Sequence, residues 1–171
     1  MIQAIESVRR SVVVPVAREK AFEVFTAGMT GWWPSEHHIG EAPIEQIVVE
    51  PREGGRWYTR HTDGSETSTG YVAAWEPPER VVVTWQISAE WKYDPSLVTT
   101  VEVRFVAEAP DRTRVELEHR DLDRFGPDAE KMHETFSAPG AWDSTLAAYA
   151  AGVEAATVAG EPEDSLRHSD R

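Results

Sequence analysis

The fold is decided by residues 54–85, which read GGRWYTRHTDGSETSTGYVAAWEPPERVVVTW. Two parts of this stretch, residues 56–62 and 67–75, are rich in the β-branched and aromatic side chains that favour strands. Between them, the Asp63-Gly64 pair supplies the positive φ angle of a tight hairpin turn. The stretch therefore begins with a predicted β-hairpin.

The same stretch also predicts where the second strand of this hairpin ends. Proline fixes φ and has no N–H donor, so the Pro77-Pro78 pair ends that strand. A further apolar, β-prone run follows over residues 81–87, which makes the stretch a three-stranded meander. Gly70, inside the second strand, indicates a β-bulge or a close backbone approach.

Composition sets the class of protein. The chain has 171 residues, of which 40% are hydrophobic, and seven are tryptophan. This length and composition suit one globular domain, which we expect over residues 1–158, followed by a polar and disordered tail over residues 159–171. The absence of cysteine excludes disulfides and thiolate metal sites. We expect no cofactor.

Charge and hydropathy restrict the partners. The formal net charge of −13 argues against nucleic acid and anionic membranes, because both favour basic surfaces. The first ten residues contain no apolar signal segment, and no run of eighteen apolar residues predicts membrane insertion. We therefore expect a cytoplasmic protein whose partner is a small molecule. The sequence leaves open whether it forms a homodimer.

The remaining segments complete the predicted topology. Residues 8–14 alternate as a half-buried strand, and apolar residues at helical spacing follow from Ala17 to Phe25. Residues 44–50 predict a further strand before the meander. After the meander come two more alternating strands and a final helix carrying Trp142, Leu146, Tyr149 and Val153. Without regular βαβ alternation, this order predicts an α+β fold in which a curved antiparallel sheet of seven strands wraps the last helix.

Such a sheet and helix leave a wedge between them, which is a usual place for an apolar ligand. Aromatic residues on the inward faces would line it. The predicted lining is Trp33, Trp57, Trp85, Phe105, Trp142 and Leu146. We expect Trp32 to fill the core while Trp33 faces the cavity, and the aromatic loop over residues 88–96 to pack over the opening.

Three polar residues share the inward faces: Arg10, His61 and His119. One interpretation of the histidines is structural, a buried neutral imidazole bonded to a backbone carbonyl or a threonine hydroxyl. The other is functional, either a polar anchor for a ligand or a general acid or base. Arg10 likewise predicts either a structural ion pair or a ligand contact.

The His37-His38 pair raises the question of a metal. Adjacent histidines need a third ligand, and the neighbouring sequence offers only Glu36 and Glu41. We predict no metal site. For residues 121–139, with the Gly126-Pro127 pair, two interpretations stay open: a lid over the cavity, or a connection that covers the sheet edge.

Several motifs in order resemble the SRPBCC or START-like superfamily, and in particular the branch similar to the activator of heat-shock-protein-90 ATPase. The motifs are Trp32-Trp33-Pro34, Gly54-Gly55, Asp63-Gly64, Gly70, Pro77-Pro78, Arg80-Val81, Thr84-Trp85 and the Trp142 helix. The resemblance covers about Val8 to Val153. It implies the helix-grip fold, with short helices after the first strand, and a deep apolar cavity. Residues 121–139 are longer than the branch implies.

Three functions are compatible with this resemblance, because one fold hosts many activities. The first is a protein that binds an apolar or amphipathic small molecule, with Arg10, His61 and His119 holding its polar end. The second is a cyclase or hydrolase that uses an inward histidine as general base. The third is a domain that contacts a chaperone, which we rank last.

Overall fold

The computed structural model describes the backbone of residues 5–35, 37 and 41–169, and the side chains as far as residue 156. Its strands are β1 (Val8–Val14), β2 (Ile44–Val49), β3 (Arg56–His61), β4 (Glu66–Glu76), β5 (Arg80–Trp85), β6 (Thr99–Ala109) and β7 (Arg112–Arg120). Its α-helices are α1 (Arg18–Thr26), α2 (Ala129–Ser137) and α3 (Ser144–Ser169). Short turns of 3₁₀ helix at Met29–Gly31 and Leu122–Asp128, and a π-helical turn at Pro139–Asp143, complete the described elements.

The seven described strands form one sheet in the order β1-β7-β6-β5-β4-β3-β2, and each neighbouring pair is antiparallel. Apart from β1, which joins the edge beside β7, strands that are consecutive in the chain are neighbours. Helices α1 and α3 pack together on one face, where the Tyr149 hydroxyl donates a 2.7 Å hydrogen bond to the Ala21 carbonyl. The predicted α+β helix-grip fold with seven strands is confirmed.

The hairpin of the opening stretch forms at Asp63-Gly64. Gly64 has φ of +87°, and the Asp63 side chain accepts a hydrogen bond of 2.9 Å from the Ser65 amide. Gly70 lies beside an irregularity in the β3–β4 register and against β5, where an added Cβ would meet the Thr84 carbonyl oxygen at 1.9 Å. Both features predicted for Gly70, the bulge and the close approach, are present.

The core fills the space between the sheet and helices α1 and α3. Its aromatic centre is Phe22, Phe25, Trp32, Phe105 and Tyr149, whose rings pack at 5.1 to 5.8 Å. The Trp32 indole donates to the Val24 carbonyl at 2.8 Å. Trp32 therefore fills the core, as its position in the sequence predicts. Gly152 lets α3 approach it, since an added Cβ would lie 2.7 Å from the Trp32 Cβ.

The outer face of the sheet carries a buried charge that the alternation of β6 does not predict. The Glu102 side chain is only 5% exposed and accepts hydrogen bonds from three arginines, the shortest at 2.5 Å from Arg120. Burial alone would raise the Glu102 pKa, but the hydrogen bonds from Arg104, Arg80 and Arg120 outweigh it and lower the pKa to about 2. The three guanidinium groups cover the carboxylate and so tie β5, β6 and β7 together.

The C-terminal end of α3 continues past the predicted domain boundary. Its backbone is helical to Ser169, while the side chains after residue 156 lie outside the described residues. The expected disordered tail over residues 159–171 stays a prediction. No helix in the described ranges is long and apolar enough to cross a membrane.

Candidate functional site: a tryptophan-lined cavity

A cavity of about 420 Å³ lies between strands β2 to β5 and the segment that joins α2 to α3. The sheet contributes Ile47, Trp57, Thr59, Thr67, Thr69 and Trp85, and Ile87 and Trp91 follow β5. The facing wall consists of Thr135, Phe136, Ala138, Gly140, Ala141, Trp142 and Thr145, with Trp33 and His37 beside it. This volume is in the range of small-molecule sites, roughly 300 to 1,000 Å³.

Tryptophan rings surround the cavity. Trp33 contacts Trp57, Trp57 contacts Trp85, and Trp85 contacts Trp142, with ring centroids 5.9 to 6.0 Å apart and planes inclined by 61° to 88°. Such edge-to-face contacts hold each ring in place. Trp91, at 48% exposure, is the fifth tryptophan of the wall. Of the aromatic loop, Trp91 supplies part of the wall, whereas Tyr93 is exposed and does not line the cavity.

The segment after β7 forms the opposite wall. Phe136, at the end of α2, packs edge-on against Trp85 with centroids 5.8 Å apart. Trp142 lies in the π-helical turn, which begins at Pro139 and precedes α3. Residues 121–139 therefore do more than cover a sheet edge, because their last turn lines the cavity.

Three threonines form a polar strip on the sheet wall, and we call Thr59, Thr67 and Thr69 the threonine row. Thr59 and Thr67 are register partners across β3 and β4, and Ile47 of β2 faces Thr59 from the other side. Alternation along β3 predicts Thr59 on the inner face between Trp57 and His61. Thr67 and Thr69 could not be placed from the sequence, because the irregularity near Gly70 hides the parity of β4.

His119 lies behind the cavity wall and is fully buried. The Thr99 hydroxyl donates to the Trp85 carbonyl at 2.8 Å, so its oxygen accepts from His119 Nε2–H, also at 2.8 Å. The other ring nitrogen, Nδ1, accepts from the Trp142 indole at 3.2 Å. Burial lowers the pKa of His119 to about 3. The ring is neutral, and both of its nitrogens are engaged.

His61 lies at the end of β3. It is fully buried, and its Nδ1 donates to the Ala42 carbonyl at 2.8 Å. In the neutral ring, Nε2 accepts from the Thr67 hydroxyl at 2.8 Å. The structural interpretation of the inward histidines describes the contacts of His61, which are a backbone carbonyl and a threonine hydroxyl. For His119 it accounts for the threonine hydroxyl but not for the Trp142 indole.

Arg10 lies away from the cavity. Its Nε is 2.9 Å from an Asp143 carboxylate oxygen, and its terminal nitrogens donate to the carbonyls of Ser137 and Arg9 at 3.0 and 2.7 Å. The guanidinium thereby fixes the α2–α3 connection to β1. Arg10 supports the segment that carries Trp142, and none of these contacts is to a cavity residue.

The predicted lining residues divide into two groups. Trp33, Trp57, Trp85 and Trp142 line the cavity. Phe105 and Leu146 are buried in the core and do not line it. Sequence reasoning missed His37 as a wall residue; its Nδ1 lies 3.5 Å from the Thr145 hydroxyl. His38 lies outside the described residues, and within them no group of three His, Asp or Glu side chains is spaced to hold a metal ion.

Comparison with known proteins identifies relatives of the same fold. The anthrahydroquino-gamma-pyrone synthase Txn09, solved in complex with SUM, is 37% identical, with a TM-score of 0.61 over 89% of this chain and 99% of its own. The self-sacrificing resistance protein CalC from Micromonospora echinospora is 28% identical, with a TM-score of 0.67 over 86% of this chain and 94% of its own. Protein MLL2253 from Mesorhizobium loti, at 18% identity and a TM-score of 0.62 over 87% and 97%, shares the fold.

A comparison with curated protein sequences finds no match. The family profile described as activator of Hsp90 ATPase homolog 1-like protein matches residues 15–149, which is most of the chain. This range includes α1, all strands except β1, and the start of α3. Such a domain fits a ligand-binding member of the SRPBCC superfamily. The chain belongs to the family of activator of Hsp90 ATPase homolog 1-like proteins.

Proposed function

We propose that this protein binds a small, mainly apolar aromatic molecule in the tryptophan-lined cavity. The observation that carries the proposal is the wall itself: five of the seven tryptophans of the chain surround a space of about 420 Å³. Indole rings offer large apolar area at little entropic cost, because only two side-chain torsions must be fixed. Flat aromatic ligands match such a wall better than branched aliphatic ones.

The rigidity of the wall supports the same proposal. The indole of Trp33 donates to the His37 carbonyl at 2.7 Å and that of Trp142 to His119, so these rings are held before a ligand arrives. A site that is formed in advance spends less of the interaction energy on ordering its side chains. We therefore expect saturable binding with one molecule per chain.

The test is a titration of the purified protein with 1,8-dihydroxyanthraquinone, followed by calorimetry and by the quenching of tryptophan fluorescence. Thr145→Trp places a large side chain in the cavity and should weaken binding at least about tenfold. Ala147→Trp is the matched control, because Ala147 is exposed on the same helix and outside the cavity. Circular dichroism checks that both variants fold. Absence of saturable binding, or equal affinity of the two variants, would contradict the proposal.

A second candidate is an enzyme that closes a ring on such a molecule, since the relative at 37% identity is a synthase. The histidines predicted for this role have both nitrogens engaged, which leaves His37 as the imidazole of the described cavity wall. A base there would take the proton of a phenol, the phenolate oxygen would add to an enone, and the proton would return to the α-carbon.

The probe for this candidate is 2′-hydroxychalcone, whose closure to flavanone is an isomerisation that needs no cofactor. An enzyme should accelerate the closure above the buffer rate, and His37→Gln should remove the acceleration. His133→Gln is the control, because His133 lies on α2 outside the cavity. A rate equal to that of buffer for the unmodified protein would count against this candidate and leave the binding proposal standing.

A further inference from the structure

Two hydroxyl groups in the cavity wall have no hydrogen-bond partner among the residues that the structure describes. Thr59 and Thr69 are buried residues of the threonine row, and neither side chain has a partner in the described part of the chain. Neither oxygen is sealed from the cavity space. Polar groups in such positions are normally satisfied, so these two hydroxyls are available to a ligand.

Three indole nitrogens of the wall are not open to a ligand. Trp33 and Trp142 each donate to a protein atom, and the Trp85 nitrogen, although it has no acceptor among the described residues, is sealed from the cavity space. The Thr59 and Thr69 hydroxyls remain, and each can donate one hydrogen bond and accept others. A ligand that accepts their protons must bring hydrogen-bond acceptors.

Thr67 complements these donors. As the donor to His61 at 2.8 Å, it retains lone pairs that can accept a hydrogen bond, for example from a phenol. Along a strand, alternate residues are separated by about 6.6 Å, and cross-strand partners lie about 5 Å apart. The threonine row therefore offers separated contacts to several substituents, rather than one cluster for a single head group.

Charge decides which oxygen groups fit. The described residues that line the cavity include no Lys, Arg, Asp or Glu, and Arg10 is held by Asp143. A carboxylate would lose its hydration there without a counter-charge, which is strongly unfavourable. Neutral carbonyl and phenol oxygens carry no such cost.

Resting on the proposed binding function, we propose that the ligand is a planar polycyclic aromatic molecule with neutral oxygen substituents along one edge, a phenol or quinone, and that this edge contacts Thr59, Thr67 and Thr69. The rings lie among the tryptophans, and the substituted edge faces the sheet wall. The threonine row is then a specificity-determining element: it selects oxygenated ring systems over hydrocarbons of the same shape and over carboxylates.

The experiment compares three probes: 1,8-dihydroxyanthraquinone, anthracene and anthracene-9-carboxylate. Each is titrated against the unmodified protein and against the Thr59→Val/Thr69→Val double variant, which keeps the side-chain shape and removes both hydroxyls. Thr62→Val is the control, since Thr62 is exposed beside the hairpin turn. Thermal unfolding shows whether each variant folds as the unmodified protein does.

We expect the dihydroxyanthraquinone to bind at least about tenfold more tightly than anthracene, and the double variant to lose about ten- to one-hundredfold for this probe alone. The carboxylate should bind most weakly. If anthracene binds, and the double variant binds both neutral probes with the same affinities as the unmodified protein, the threonine row has no role. The proposed binding function survives that result. If no probe binds, both proposals fail. Tight binding of the carboxylate would also overturn this inference.

Discussion

Replacing His119 tests whether this residue supports the cavity wall as a neutral hydrogen-bonding group. Its folded-state pKa of about 3 lies below the ordinary 6.5. As the pH falls, the unfolded chain therefore binds a proton at this histidine at a higher pH than the folded chain does. The stability that His119 contributes is therefore constant above pH 6.5 and is lost as the pH falls from 6.5 toward 3.

The size of this effect follows from the pKa difference. One pKa unit corresponds to about 1.4 kcal/mol, so the whole window represents about 4 to 5 kcal/mol for this fully buried ring. Between pH 6.5 and 5, where Glu102 stays ionised, the free energy of unfolding should fall by about 2 kcal/mol because of His119 alone. In His119→Gln this slope should disappear. The variant should also be about 1 to 3 kcal/mol less stable at pH 8, because the hydrogen bonds to Thr99 and Trp142 are disturbed.

The assay is urea denaturation at four pH values from 8 to 5, with His133→Gln as a control that removes a half-buried imidazole from α2. If His119→Gln does not fold, nitrogen NMR of the unmodified protein gives the same information, since the ring should stay neutral, with its proton on Nε2, down to pH 5. An unchanged slope in His119→Gln, or a ring that titrates near 6.5, would refute the reasoning.

Two further variants test the sheet. Glu102→Gln removes the charge that three arginines surround and should lower the free energy of unfolding by about 2 to 3 kcal/mol in urea denaturation. The control, Glu116→Gln, removes one partner of an exposed ion pair and should cost less than about 1 kcal/mol. Equal losses would show that Glu102 is an ordinary surface charge. Gly70→Ala forces β4 away from the Thr84 carbonyl and should lower the free energy of unfolding by about 2 kcal/mol or more. The control, Gly31→Ala, has no atom within 4 Å of the added Cβ and should have little effect. A Gly70→Ala variant as stable as the unmodified protein would contradict the close approach.

Local patterns were sufficient to predict most of the fold. The Asp63-Gly64 turn and the alternation on each side of it specify a hairpin. Alternation within β3 places Trp57 and His61 on an inner face, and alternation within β7 does the same for His119. These are local rules of side-chain direction. All three side chains are buried in the structure.

The contents of the candidate site depended on contacts between distant parts of the chain. The partner of Arg10 is Asp143, at the other end of the domain, and no strand pattern identifies it. Thr67 and Thr69 required the register of β4, which the irregularity near Gly70 shifts. Phe105 and Leu146 lie on inward faces, as the cavity residues do. Side-chain periodicity gives the face but cannot distinguish the end of the space between sheet and helix that the core fills from the end that stays open.

The most direct test of aromatic ligand binding in this cavity is the set of tryptophan indole N–H signals in proton–nitrogen NMR spectra, assigned by single Trp→Phe variants. On addition of 1,8-dihydroxyanthraquinone, we expect the signals of the wall residues to shift and to saturate together at one equivalent. The signal of Trp75 should stay in place, because Trp75 packs on Phe22 outside the cavity. The wall residues are Trp33, Trp57, Trp85, Trp91 and Trp142. Unchanged wall signals, or a shift at Trp75 alone, would contradict the proposed binding site.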